Sequence, residues 1–199
     1  MVGSDWDVHY KNSNPPWETG RPSEELHRVI GEQKIQPCRV IELGCGSGIN
    51  AVWLAQQGFH VTGVDFSPLA LEKANRRSVE ANATVRFVLA DVRALPEDLG
   101  VFPFFFDRGC YHAVRRDDVG GYLKTLRQVT VTGSIGLVLT GNAREPHKPG
   151  EGPPVVSAEE IRAELGSAFE IIQLREFYFD QIEDGVRFLA WSCLLRRAR

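Results

Sequence analysis

From residue 38 onward the chain alternates short apolar runs with segments of helical length. Arg39–Leu43 is apolar and β-branched with glycines directly behind it, and it reads as a first strand. Ile49–Gln57 places apolar side chains at 49, 52, 54 and 55, one face of a helix that Gly58 ends. His60–Asp65 is a second strand. Ser67-Pro68 then opens a helix to about Ala81, with the serine as cap and the proline in the first turn. Val85–Ala90 and Val101–Asp107 read as strands three and four, Asp117–Val129 as a helix with Leu123 and Leu126 inward, and Ser134–Thr140 as strand five. Ser157-Ala-Glu-Glu is a capping box ahead of a short helix, Ala158–Leu165. Phe169–Phe179 and Val186–Leu195 are long strands joined at Asp184-Gly185, and so short a turn connects only antiparallel strands.

Repeated strand–helix units followed by a hairpin predict an α/β fold. The expected form is a Rossmann-like, doubly wound, mostly parallel seven-stranded sheet with a C-terminal antiparallel hairpin. Near-continuous apolar strands agree with a sheet covered on both faces. Residues 1–199 are expected to form a single domain, with 1–37 as an N-terminal lid or helix and 38–199 as the ligand-binding core. In such sheets ligands bind beyond the carboxyl ends of the strands, where the strand order reverses.

Composition narrows the function classes. A formal net charge of −3 gives no basic field for nucleic acid, and the only dense basic run, Arg196, Arg197 and Arg199, reads as a strand end in solvent. No apolar stretch approaches the roughly 20 residues needed to span a bilayer. Met1–Tyr10 carries Asp5, Trp6 and Asp7 and no apolar run, unlike a leader. Cys38, Cys45, Cys110 and Cys193 form no C-x-x-C pair, so no metal site and no redox motif is expected, and a reducing cytoplasm is the simple setting. The expected partner is a small molecule, with no nucleic acid and no membrane, and the chain a monomer or homodimer.

Candidate chemistry collects at the strand ends. Val40-Ile-Glu-Leu-Gly-Cys-Gly-Ser-Gly48 sets Glu42 ahead of three alternate glycines, Gly44, Gly46 and Gly48, between a strand and a helix. Glycines there allow a sharp turn and a close approach to main-chain N–H groups. A dinucleotide fingerprint needs G-x-G-x-x-G, and the third position here is Ile49. The pattern resembles motif I of class I methyltransferases, in which this loop wraps the amino-acid end of S-adenosylmethionine. Asp65, 21 positions after Gly44, sits where an acid accepts from ribose hydroxyls. Leu89-Ala-Asp91-Val92 ends strand three. By the same resemblance its acid faces the adenine amino group, and the next residue offers a backbone N–H. Phe106-Asp107-Arg108-Gly109-Cys110-Tyr111-His112 follows strand four, where this family places the residues flanking the methyl group. Asn14-Pro-Pro-Trp17 matches the catalytic string of nucleobase amino-methyltransferases, but no buried strand precedes it, so the match is read as coincidence.

A closer resemblance lies in Trp17-Glu-Thr-Gly-Arg-Pro22, in the string 107–112 and in Thr140-Gly-Asn-Ala with Gly152-Pro-Pro. These look like the thiopurine, thiol, halide and tellurite-resistance methyltransferase group, over about residues 6 to 195. The resemblance implies S-adenosylmethionine as cofactor and a small, soft acceptor. It implies a cofactor site of Trp17, Glu42, Gly44, Cys45, Gly46, Gly48, Asn50, Asp65, Phe66, Ser67, Asp91, Val92, Asp107, Arg108 and Gly109. It also implies an N-terminal segment folded over the cofactor, with Trp17 near the sulfonium. The competing role for Trp6, Tyr10 and Trp17 is to pin the terminus to the core. His112 is the candidate general base, since histidine titrates near neutral pH, and Cys110 the weaker candidate nucleophile. Asn142–Val156, rich in proline, is expected to join the N-terminal segment in lining the acceptor pocket. An NAD(P)-dependent oxidoreductase and a non-catalytic S-adenosylmethionine-binding module are the alternatives.

Overall fold

A computed structural model describes residues 4–12, 15, 17–145, 153–180 and 187–198. Two helices, α1 (Ser4–Asn12) and α2 (Glu24–Glu32), precede the core. Then follow β1 (Arg39–Leu43), α3 (Ile49–Gln56), β2 (His60–Asp65), α4 (Pro68–Glu80), β3 (Val85–Leu89), β4 (Phe104–Arg108), α5 (Cys110–Val129), β5 (Ile135–Asn142), β6 (Val155–Val156), α6 (Ala158–Glu164), β7 (Glu170–Tyr178) and β8 (Leu189–Arg196). The main path of the sheet is β3-β2-β1-β4-β5-β8-β7, with β6 added beside β5. Neighbouring strands are parallel from β3 to β5, and β8 runs antiparallel to both β5 and β7. The expected doubly wound sheet with its C-terminal antiparallel pair is therefore observed. The turn expected at Asp184-Gly185 lies outside the described residues, as do residues 146–152 of the segment expected to line the acceptor pocket. No helix among the described residues is long and apolar enough to cross a membrane.

Alternation along the strands builds two cores. Ile41, Leu43 and Phe105 face Tyr122, Leu126 and Val129 of α5 and Ile161 of α6. Val40, Phe104 and Phe106 face Leu26 and Val29 of α2 and Ala51 and Leu54 of α3. The strand order reverses between β1 and β4, so the crevice lies beyond Leu43 and Arg108. Past the end of β4, the two-residue β6 continues on β5, pairing Gly141 with Val155 and Asn142 with Val156. This brings the proline-rich segment back to the ligand end of the sheet.

Local chemistry explains where elements begin and end. Ser67 caps α4, its hydroxyl accepting from Ala70 N at 3.1 Å, and Ser157 with Glu160 forms the expected capping box. Several boundaries differ from the sequence reading: the last strand begins at Leu189 where Val186 was expected, and two further differences have a local cause. Strand four does not begin at Val101: Pro103 has no N–H for a ladder, Val101 is exposed, and pairing starts at Phe104. The fifth helix starts at Cys110 and not at Asp117. The buried Asp107 carboxylate accepts from the N–H groups of Cys110 and Tyr111 (both 2.9 Å), which supplies a cap that the sequence pattern does not display. The helix is kinked at Asp118 (φ −157°, ψ 81°), whose carboxylate recaps the second half through Gly121 N at 2.8 Å. The apolar periodicity is therefore broken in the middle, and only the second half is visible as a helix in the sequence.

One close contact fixes the sheet locally. A Cβ added to Gly136 of β5 would lie 1.9 Å from Cζ of Phe105 on β4, so the ring occupies the place of a side chain. Gly136→Ala is expected to lower stability by about 2 kcal/mol or more, the cost of overpacking a close-packed core. Urea unfolding with an unchanged midpoint would contradict this reading of the contact.

Candidate active site

The loop after β1 carries three glycines in left-handed conformation, at φ +66° (Gly44), +54° (Gly46) and +77° (Gly48). Each is also pressed by another part of the chain. A Cβ at Gly44 would meet Cys110 Cβ at 2.7 Å, at Gly48 the Ala74 Cβ at 2.9 Å, and at Gly46 the Tyr10 hydroxyl at 2.8 Å. Gly44 and Gly48 thus seat the loop against α5 and α4, and the group that crosses Gly46 comes from α1. Asp65, at the end of β2, accepts from Gly46 N at 2.8 Å and from Ser67 N at 2.9 Å, joining the loop after β1 to the start of α4. Burial raises its pKa against the pull of those N–H groups.

The N-terminal segment closes over this loop. Both carboxylate oxygens of Glu18 accept from the Ser47 hydroxyl, at 2.7 and 2.6 Å, and Arg77 stands 3.9 Å away. Trp17 donates from its indole to the Tyr10 hydroxyl (3.2 Å) and packs edge-on against Trp6 and His9, with ring centroids 5.3 and 5.1 Å apart. Arg108 donates to the Trp17 carbonyl at 3.1 Å and lies over the Phe179 ring. Trp17 therefore has both a packing role and a place at the crevice. Asn14 and Pro16 lie outside the described residues. Sequence reasoning names Tyr10 only as a residue that pins the terminus and does not single out Glu18 or Asp7, because α1 has too few apolar positions to show a period. The one available signal is the Pro-Trp-Glu-Thr-Gly string, of which Trp17 alone reads as a site residue.

On the far side of Asp65, Phe66 is 45% and Leu89 59% exposed, unusual for large apolar residues, and β2–β3 pairing sets Asp65 opposite Leu89. They form an open apolar ledge beside the carboxylate. Asp91 is engaged by its neighbour: Arg93 donates to it from the backbone and from Nε at 2.9 Å, and closes an ion pair at 2.6 Å that holds its pKa low. Val92 is buried, so the backbone is what it has to offer. Ser67 is also buried, its side chain bonded as the α4 cap and to Asp7.

At the end of β4 the side chain of Asp107, expected at the cofactor, turns inward. Fully buried, it accepts from the N-terminus of α5 and from the Tyr122 hydroxyl at 2.7 Å, and burial raises its pKa to about 7. Gly109 (φ +91°) makes the turn and donates to the Leu139 carbonyl at 2.9 Å. His112 was expected as a base, and its geometry argues otherwise. The ring is 7% exposed, and Nδ1 accepts from Gly141 N at 3.0 Å, with the Thr140 hydroxyl 3.2 Å away. That bond places the proton on Nε2, and burial beside Arg108 lowers the pKa to about 3. Burial pushes the thiols of Cys45 and Cys110 well up, so neither is a ready thiolate.

Beneath the glycine loop, Glu42 is 2% exposed. One oxygen accepts from Asn50 at 3.2 Å, and the other, Oε2, is buried with no hydrogen-bond partner. Asn50 in turn accepts from Ser23 N at 2.9 Å, linking the pair to the cap of α2. Burial raises the Glu42 pKa to about 8, partly offset by Asn50 and Arg108. An orphaned buried carboxyl, a ribose-type acid, an aromatic ledge and an aromatic cluster around Trp17 suit a cationic adenine nucleoside, and S-adenosylmethionine has that chemistry. No group of His, Cys, Asp and Glu among the described residues is arranged to hold a metal ion.

Comparison with known proteins agrees. The chain is 28% identical over 151 residues to 2-heptyl-1-hydroxyquinolin-4(1H)-one methyltransferase of Mycobacteroides abscessus, covering 75% of this chain and 66% of that protein. It is 23% identical to the probable S-adenosyl-L-methionine-dependent methyltransferase TehB of Haemophilus influenzae, covering 73% of this chain and 46% of that one. The chain thus spans about two thirds or less of the length of these relatives. A structure described under the conversion of a disulfide bond into a thioacetal group during echinomycin biosynthesis superposes with a TM-score of 0.86 at 24% identity, covering 100% of this chain and 92% of the other. With these likenesses the cofactor is S-adenosylmethionine, and the oxidoreductase alternative is not favoured. The model of the thiopurine S-methyltransferase (TPMT) family matches residues 1–197, and the chain belongs to that family.

Proposed function

We propose that this chain transfers the methyl group of S-adenosylmethionine to a small acceptor whose nucleophile is already ionised when it arrives, foremost a thiol. The observation that carries the reading is the state of His112. The only imidazole on the strand-four segment has its Nδ1 lone pair committed to Gly141 and its pKa far below neutrality. An alcohol or a protonated amine would need a base there. A thiol, with a pKa of about 8.5, supplies enough thiolate unaided. The family name, with its sulfur acceptor, supports the same class.

The cofactor brings a methyl group already activated on a sulfonium sulfur. The chain's task is to hold, orient and dry the site. The Gly44–Gly48 loop and Asn50 shape the floor, and Glu42 offers its unpartnered oxygen to a donor on the methionine end. Asp65 accepts from the ribose, while Phe66 packs the base beside Asp91 and the Val92 N–H. Trp17 presents an aromatic face to the cation, worth about 0.5–2 kcal/mol when partly desolvated. Arg108 and Gly109 border the path of the acceptor, and His112 holds the turn between β5 and the segment beyond it as a positioning residue. In-line attack forms the acceptor–carbon bond as the carbon–sulfonium bond breaks. The acceptor's proton has already gone to solvent, so holding the partners in line is the protein's main contribution, about several kcal/mol. The N-terminal cover over Ser47 and Arg108 leaves room for a small acceptor and shields the charge from water.

Labelled S-adenosylmethionine offered with small thiols and with their hydroxyl analogues is expected to methylate thiols alone, with a rate that follows the acceptor's own pKa. Equal transfer to the hydroxyl analogues would remove the soft-acceptor reading. His112→Asn is expected to lower stability, since a buried ring that anchors Gly141 is lost, yet to leave the shape of the kcat/KM pH profile unchanged. Loss of a limb between pH 6 and 7 would restore His112 as the base.

Glu42 generates a third expectation, with its sign fixed by linkage. Its folded pKa, about 8, lies above that of the unfolded chain, about 4.5, so folding takes up a proton between those values and stability falls as pH rises. A glutamine side chain at this position mimics the protonated carboxyl at every pH. Glu42→Gln should therefore match the parent near pH 5, exceed it by about 2 kcal/mol or more at pH 8 without cofactor, and bind S-adenosylmethionine more weakly. Thermal melts showing a pH-independent difference would contradict the assignment.

A further inference from the structure

The start of α4 receives two carboxylates. Asp65 accepts from the backbone N–H of Ser67 at 2.9 Å, and Asp7, from α1, accepts from the Ser67 hydroxyl. The two acids therefore converge on one residue at the end of β2, beside the exposed Phe66. No ion pair within 4.0 Å neutralises either among the described residues, although Lys11 lies on the same helix as Asp7 and Lys73 of α4 lies over the Tyr10 ring at 5.6 Å. Asp65 is already bonded by the N–H groups of Gly46, Ser67 and Phe66, which leaves its two oxygens little more than one further lone-pair direction, enough for a single hydroxyl. Asp7 is half-buried, and among the described residues its second oxygen, Oδ2, accepts no hydrogen bond. Two acids this close repel one another, and a docking contact for α1 alone would be better made by a neutral residue, such as asparagine, which offers Ser67 the same oxygen without the charge. The arrangement is suited to a ligand that brings two adjacent neutral donors, one for each carboxylate, and a vicinal diol does so.

We propose that Asp7 is a second ribose acceptor, so that the 2′- and 3′-hydroxyls of the cofactor are divided between a carboxylate from the sheet, Asp65, and one from the N-terminal helix. This rests on the reading of Asp65 as the ribose acid. It gives α1 a role beyond covering the site: closure of the N-terminal segment is coupled to the sugar, and the segment is held down by the bound nucleoside itself. The unpartnered Glu42 oxygen under the neighbouring loop and the open Phe66–Leu89 ledge are independent signs that the same crevice is built around a ligand.

The test is calorimetric titration of S-adenosylhomocysteine and its 2′-deoxy and 3′-deoxy analogues into the full chain, the Asp7→Ala and Asp65→Ala variants, and Asp7→Asn. In the parent, each missing hydroxyl is expected to weaken binding by about tenfold or more, as for a hydrogen bond to a charged group. Asp7→Ala should weaken the parent nucleoside to a similar degree and abolish sensitivity to one of the two deoxy changes, and Asp65→Ala should abolish sensitivity to the other. Asp7→Asn, which keeps an acceptor for the Ser67 hydroxyl, should still lose part of the affinity. If Asp7→Ala weakens all three ligands by one factor, or Asp7→Asn binds like the parent, Asp7 is a docking contact and the proposal is overturned, while the role of Asp65 stands. If the parent chain does not distinguish the deoxy analogues, the ribose assignment itself fails.

Discussion

The site depends on one carboxylate that ties two loops together. Asp65 accepts from Gly46 in the loop after β1 and from Ser67 at the start of α4, so the ends of the two strands cannot move independently. The left-handed glycines matter in this light. They let the loop double back far enough for an N–H to reach a neighbouring strand's acid, and they let α4, α5 and Tyr10 pack against it from three directions. A site held by packing and by a shared acceptor is set before a ligand arrives, which is the condition under which fixed donors and acceptors are most effective.

That organisation has an electrostatic cost. Glu42 and Asp107 are buried and Asp65 partly buried at the carboxyl ends of neighbouring strands, and desolvation raises the pKa of each. For Asp107 the N-terminus of α5 and the Tyr122 hydroxyl offset part of it, so its carboxylate finds its partners within the chain. For Glu42 the compensation from Asn50 and Arg108 is incomplete, since one of its oxygens has no hydrogen-bond partner. The distinction separates the two acids by purpose. The satisfied one builds the fold, and the unsatisfied one stores a preference for a donor or positive charge that the chain does not provide.

The sheet was legible in the sequence because its signals are local. Apolar runs of four to six residues, stop signals at Gly58 and caps at Ser67 and Ser157 each announce an element without knowledge of its partners. The Glu42–Gly48 pattern likewise lies within one loop. What stayed hidden depends on contacts between residues distant in the chain. Asp107 and His112 look like site residues in sequence, and only the fold reveals that their polar atoms face Tyr122, Gly141 and the helix terminus. The first half of α5 was missed because Asp118 breaks the period, and the N-terminal cover because its polar residues bind across the fold, Glu18 to Ser47 and Asp7 to Ser67.

The placement of His112 and the placement of the N-terminal cover converge on the same restriction. A methyl donor that is already activated reacts with whatever nucleophile is held in line with it, water included, so selectivity has to come from what is admitted and in which ionisation state. Closing the loop with Glu18 and Trp17 limits size and excludes solvent. On the proposed reading, His112 supplies no base, and the chemistry is limited to acceptors that lose their proton elsewhere. Neither device needs a contact to the body of the acceptor, which is compatible with a family named for a thiopurine and a relative named for a hydroxyquinolone.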